Sequence, residues 1–126
     1  MSVAEDITQF SHLIYQKQYV AAMDGNISVR LPDGNIMCTP TRCNKGFVKP
    51  DDMVIIDARG NKVSGPRKPS SEMAMHVLIY EMRADVHSVV HAHPPCATAY
   101  AAAGIDRKST RLNSSHIPLS RMPSSA

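Results

Sequence analysis

Between residues 26 and 65 the chain alternates short apolar runs with turn signals, and this rhythm constrains its fold more than any other feature. Ile27-Ser28-Val29-Arg30-Leu31 alternates apolar and polar side chains, as a half-buried strand does. Pro32-Asp33-Gly34-Asn35 is a turn signal, and Ile36-Met37-Cys38-Thr39 returns as the second arm of a hairpin. After a loop that contains Lys45-Gly46, Met53-Val54-Ile55-Ile56-Asp57 reads as a third strand. A turn at Arg59-Gly60-Asn61 leads to Lys62-Val63-Ser64-Gly65, a short partner strand. Runs this short, linked by such tight connections, point to antiparallel pairing, because parallel neighbours need a crossover of a dozen residues or more.

Helical periodicity brackets these strands. Residues 5–20 place Ile7, Phe10, Leu13 and Ile14 on one face, a pattern suited to covering a sheet. Ser70-Ser71-Glu72 precedes Met75, Leu78, Ile79 and Met82 at helical spacing, so Ser70 or Ser71 is the expected N-cap and the helix is expected to end near Arg83. Residues 88–93 form a β-branched strand that runs into His91-Ala92-His93 and is stopped by Pro94-Pro95. An alanine-rich helix over 96–103 follows, stopped by Gly104. The order predicts an α/β layer fold with helices covering a largely antiparallel sheet.

At 126 residues the chain is at most one domain, and 43% hydrophobic with 20% charged residues is ordinary for a soluble globular protein. Much of the net charge of +3 comes from Arg107, Lys108, Arg111 and Arg121 near the end, so the body shows no basic face and a nucleic-acid partner is not expected. No apolar run is long enough for a membrane span and no signal-peptide core is present, so a cytoplasmic location is expected, without a membrane partner. Cys38, Cys43 and Cys96 are odd in number and lack C-x-x-C spacing, which fits reduced thiols; Cys96 is read as a small packing residue rather than a ligand. From Asp106 the character changes abruptly. Residues 106–116 and 120–126 resemble the in-frame translation of a common sequencing adapter, with Ile117-Pro118-Leu119 where its variable index lies. The expected division is therefore a natural part, residues 1–105, and a non-native tail, residues 106–126, in which His116 is no ligand.

Several constellations can carry chemistry, and each has a plain alternative. Residues two apart on a strand share a face, so His91 and His93 are either half of a metal site or two half-exposed histidines. Gly25-Asn26 at a strand entrance is either a turn or an anion contact that combines close backbone approach with an amide donor. Ser70 and Ser71 either cap a helix or present it to a phosphate. Glu72 is either a first-turn acid that satisfies the helix dipole or a carboxylate poised beside a metal to move a proton. His76 and His87 have no partner at metal spacing and read as surface or packing residues.

Taken together, Gly25-Asn26-Ile27-Ser28-Val29-Arg30, Thr39-Pro40-Thr41, Lys45-Gly46-Phe47, Ser70-Ser71-Glu72 and His91-Ala92-His93-Pro94-Pro95 resemble the class II aldolase/adducin head family. The similarity is greatest to its L-fuculose-phosphate aldolases. It covers residues 7–105, about the first half of such a domain. The resemblance implies a three-layer α/β/α fold on a mainly antiparallel central sheet, assembled as a homotetramer. It implies one zinc ion per subunit, held by three histidines, of which His91 and His93 match two and the third lies outside this chain. It also implies that Glu72 is the acid/base carboxylate, and that Asn26, Thr41, Ser70 and Ser71 hold a sugar phosphate in a loop shaped by Gly25. The implied reaction is retro-aldol cleavage to a dihydroxyacetone-phosphate-type fragment and an aldehyde. Same-scaffold alternatives are a pentulose-phosphate 4-epimerase, a methylthioribulose-phosphate dehydratase and a sugar-acid-phosphate decarboxylase. A structural, adducin-like head without chemistry is the alternative from a different class. Arg42 stands where many of these aldolases carry glycine, and there it either adds a phosphate contact or blocks the loop.

Overall fold

The computed structural model describes residues 1–104, which divide into one unit over residues 1–92 and a second that begins at His93. The readings of Ile105 and of the tail over 106–126 lie outside the described residues. In the first unit α1 spans Val3–Gln16. Strands β1 (Asn26–Arg30), β2 (Ile36–Cys38), β3 (Val54–Ile56) and β4 (Lys62–Ser64) follow, with a short 3-10 turn at Pro50–Asp52 before β3. Helix α2 (Met73–Met82) and strand β5 (Ser88–His91) complete the unit. The second unit holds helix α3, Pro95–Ala103, which Gly104 ends in the left-handed conformation.

The five strands form one sheet in the order β4-β3-β2-β1-β5, and every adjacent pair is antiparallel. The mainly antiparallel sheet with helices is thus the expected fold. Alternation along the strands divides the side chains between two cores. Ile36, Cys38, Val54 and Ile56 face Met73 and Tyr80 of α2. Ile27, Val29 and Met37 point the other way, packing with Ile7 and Ile14 of α1 and with Cys43, Val48 and Met53. Fully burying each such aliphatic side chain contributes about 1.5–3 kcal/mol. These two clusters therefore fix which face of the sheet each helix covers. Among the described residues, no helix is long and apolar enough to cross a membrane.

Four sequence expectations are corrected. Helix α1 ends at Gln16, not residue 20, because Gln18 adopts positive φ. Its buried face runs through Ile7, Thr8 and Ser11, whereas Phe10 and Leu13 are exposed. Thr8 tolerates burial because its hydroxyl donates to the Ala4 carbonyl one turn back, at 2.8 Å. Leu78 and Met82 of α2 likewise face outward, and the buried positions are Met73, His76, Ile79 and Tyr80. Finally, β5 stops at His91, so His93 follows the strand instead of continuing it.

Gly25 enters β1 with φ +75°, and its missing side chain is a packing requirement. A Cβ there would lie 2.5 Å from Val20 Cγ1 and 2.7 Å from the His91 carbonyl oxygen. The Gly25→Ala variant is expected to lose about 2–4 kcal/mol of stability from backbone strain and overpacking. It should show as a lower urea midpoint with an unchanged slope. Gly34 is the control, since at φ +90° a Cβ added there would meet nothing within 4 Å. Gly34→Ala should cost only about 1–2 kcal/mol.

Candidate active site

The site grows from a polar stripe on β1. Asn26, Ser28 and Arg30 are two residues apart and so share one face, the face covered by α2. Glu72, His76 and Tyr80 are four apart around α2 and so share one stripe. The two stripes bond rung by rung. Asn26 Nδ2 donates to Glu72 Oε2, and Asn26 Oδ1 is bonded to His76 Nε2. Ser28 Oγ lies 2.6 Å from His76 Nδ1 and 2.8 Å from the Tyr80 hydroxyl. Arg30 donates to the Tyr80 carbonyl at 2.8 Å and the Arg83 carbonyl at 3.2 Å, and its guanidinium sits 4.8 Å from the Tyr80 ring centroid. Arg30 thereby satisfies carbonyls at the end of α2 that have no partner within the helix.

Strand β5 brings the histidine. In the β1–β5 ladder Asn26 is directly opposite His91, so their side chains project to the same face. His91 Nδ1 lies 2.9 Å from Glu72 Oε2. Glu72 itself is the residue before the first turn of α2, where an acid is favoured by the helix dipole. Ser70 and Ser71 precede the helix and are not its N-cap. Ser70 Oγ accepts from the Glu72 N–H at 3.2 Å, which shapes the turn that delivers the carboxylate.

The Thr39-Pro40-Thr41 segment is laced to the same turn. Pro40 bridges Pro69, the Thr41 N–H donates to the Lys68 carbonyl at 2.8 Å, and Arg67 donates to the carbonyls of Thr41 and Arg42 at 3.0 Å each. Thr41 is therefore fixed to the segment immediately before Ser70. Arg42 holds φ +52°, a conformation that glycine adopts without strain and that costs other residues about 1–2 kcal/mol. A glycine would hold the same backbone there without that cost.

The first unit thus assembles Asn26, Glu72 and His91 around one carboxylate oxygen. His93 lies in the second unit, and among the described residues no group of three His, Cys, Asp or Glu side chains forms a metal site. The residue least visible in the sequence is His76. It is fully buried, not a surface residue, and it is bonded through both ring nitrogens. Its i, i+4 spacing from Glu72 and Tyr80 is the one local trace of that role.

Burial, and secondarily the neighbouring His91, pushes the His76 pKa down to about 4, while Glu72 opposes the shift. The unfolded ring takes its proton near the ordinary 6.5. Between these two values the unfolded chain binds the extra proton, so stability falls as the pH drops from 6.5 towards about 4 and this contribution is level above pH 7. The expected loss at the acid end is on the order of 3 kcal/mol. Urea midpoints measured across pH 4.5–7.5 should show this slope in the wild type and lose it in His76→Gln.

The profile of the Class II Aldolase and Adducin N-terminal domain matches residues 5–122. The L-fuculose phosphate aldolase of Methanococcus maripaludis strain C7 is 42% identical over 98 residues, covering 77% of this chain and 51% of that protein. The methylthioribulose-1-phosphate dehydratase of Methylococcus capsulatus is 33% identical over 126 residues, covering 86% of this chain and 61% of that protein. A solved L-fuculose 1-phosphate aldolase superposes with a TM-score of 0.76 at 30% identity, over 82% of this chain and 49% of that one. The chain spans about half the length of the curated relatives it matches. With an antiparallel sheet, a matching profile along most of its length and relatives of this identity, the chain belongs to the class II aldolase and adducin N-terminal domain family.

Proposed function

We propose that this chain is the N-terminal part of a zinc-dependent class II aldolase that cleaves a sugar phosphate such as L-fuculose 1-phosphate. The observation that carries the reading is the Glu72 carboxylate, held by the Asn26 amide and by His91 Nδ1 at the mouth of α2. The likeness to an L-fuculose phosphate aldolase supports the choice of substrate class.

His91 fits a metal-ligand role. Its Nδ1 is turned to a carboxylate, an arrangement that orients a ligating imidazole. His91, His93 and a third histidine outside this chain would hold the ion. When bound, zinc supplies the Lewis acid that offsets negative charge on the fragment left by carbon–carbon cleavage. The chain's own residues do the rest. Glu72 exchanges the proton at the carbon where the bond breaks, and its half-exposed side chain gives it access to substrate. Thr41, Ser70 and Ser71 bind the phosphate, with the two loops held together by Arg67. The Asn26 side chain is committed chiefly to Glu72 and His76, so its part in phosphate binding falls to the remaining amide N–H. Phosphate binding far from the reacting carbon orients the substrate, and orientation of this kind lowers barriers by several kcal/mol. A homotetramer is part of the proposal, as it is for the resemblance.

A second reading, dehydration of methylthioribulose 1-phosphate, draws on the relative from Methylococcus capsulatus. Assay of the full-length protein against both substrates separates the two. The expected outcome is cleavage of fuculose 1-phosphate, and turnover of methylthioribulose 1-phosphate alone would favour the dehydratase. A full-length protein that purifies without divalent metal and turns over neither would favour the structural, adducin-like reading. In the full-length enzyme Glu72→Gln should lower kcat by about 10²–10⁴-fold with zinc content unchanged. His91→Ala should instead lose the metal, read by elemental analysis. The 126-residue chain alone, with two of the three histidines, should bind zinc weakly and show no cleavage; measurable cleavage by it would refute the three-histidine site.

A further inference from the structure

The hydrogen bonds along the α2–β1 seam admit one sense only. The Tyr80 hydroxyl meets Ser28 Oγ at 2.8 Å, a bond in which either oxygen can donate until the rest of the seam is fixed. His76 is fully buried and neutral, so its ring carries one N–H. Glu72 as a carboxylate only accepts, so Asn26 must turn Nδ2 towards it and Oδ1 towards His76. The His76 proton is then on Nε2. Its Nδ1 accepts from Ser28 at 2.6 Å, and Ser28 accepts from Tyr80. Reversing Asn26, Ser28 or His76, all three buried, would set two donors or two acceptors against each other. The chain of donors therefore runs inward from Tyr80 to His76, and outward again from His76 to Asn26 to Glu72.

We propose that His76 is a positioning residue whose Nε2–H locks the Asn26 amide, so that Asn26 holds Glu72 and Glu72 keeps the His91 proton on Nδ1, leaving Nε2 as the lone-pair nitrogen. An amide anchored at both ends has one orientation, whereas one anchored only at Nδ2 can swing with the half-exposed glutamate. The arrangement at the mouth of α2 is thus set by a histidine buried behind Asn26. This deepens the proposed function and rests on it only in giving Glu72 a proton-transfer role. The His76 tautomer follows from the seam alone.

Long-range ¹H–¹⁵N correlation NMR on the full chain near pH 7.5 tests this directly. The expected result is His76 as the Nε2–H tautomer and His91 as the Nδ1–H tautomer; finding His76 protonated on Nδ1 overturns the proposal without any variant. Two variants then separate positioning from packing. In His76→Gln the terminal amide N–H₂ replaces the Nε2 donor, so His91 should keep its Nδ1–H tautomer. In His76→Asn the amide reaches only the Ser28 side, Asn26 Oδ1 loses its donor, and His91 should shift towards the Nε2–H tautomer that free imidazole side chains favour. A role in packing alone would leave the His91 tautomer the same in both variants, and that result overturns the proposal. Should neither variant fold, the wild-type tautomers decide. In the full-length enzyme His76→Asn should lower kcat about 10–100-fold with KM little changed, and His76→Gln should recover most of that loss. Tautomers as expected in a full-length protein without aldolase activity would refute the proposed function while leaving the positioning role intact.

Discussion

The structure of the first unit depends on a match of pitch between a strand and a helix. Alternate residues of β1 recur every 6.6–6.8 Å or so, and residues four apart on α2 climb about 6.0 Å. Over two rungs the mismatch is only about 1.5 Å, small enough for side chains to absorb. Asn26 can therefore bond Glu72 and His76, Ser28 can bond His76 and Tyr80, and Arg30 can bond the end of the same helix. Asn26 and Ser28 are almost wholly buried, and a buried polar group without a partner costs about 1–3 kcal/mol. Sliding α2 by one turn would strand several of them together. The polar seam thus fixes the register of α2 on the sheet more sharply than the aliphatic contacts beside it, which tolerate shifts in packing.

The same match explains what is legible in the sequence. The hairpin of β1 and β2 is written locally, in the alternation of Ile27 to Leu31 and the turn at residues 32–35, and the observed ladder pairs Val29 with Met37. The seam is not written locally. His76 lies 48 residues from Ser28 and 50 from Asn26, and its meaning appears only when the two stripes are known to face each other. Read by itself, a histidine among Met75, Val77 and Leu78 has the pattern of an ordinary helix face. Helix α1 misleads for a related reason. Phe10 and Leu13 extend its apolar arc beyond the part the sheet covers, while Thr8 and Ser11 are small enough to sit inside it.

Glycine and arginine positions show how far a family pattern and a physical cause can be told apart. Gly25 belongs to a motif tied by resemblance to phosphate, yet in this chain the space a Cβ would need is filled by Val20 and by the His91 carbonyl. The residue is required by the join of β1 to β5 whatever it also does for a ligand. Arg42 shows the reverse: its φ of +52° is the reason a glycine suits the position, and the arginine is carried at the cost of strain. The backbone there is held by Arg67 and by the Thr41 to Lys68 bond, so the loop keeps its course under a less suitable side chain.

Every member of the seam, from Asn26 to His91, belongs to the first unit, whereas His93 belongs to the second. The Glu72 carboxylate and the His91 imidazole are joined to a run of bonds that leads back to the buried Tyr80. A buried histidine that is neutral at physiological pH keeps one donor and one acceptor nitrogen, so its bonds to Asn26 and Ser28 hold across that range. The fold thereby ties the Glu72 carboxylate to groups that lie behind it in the packing of α2 on β1.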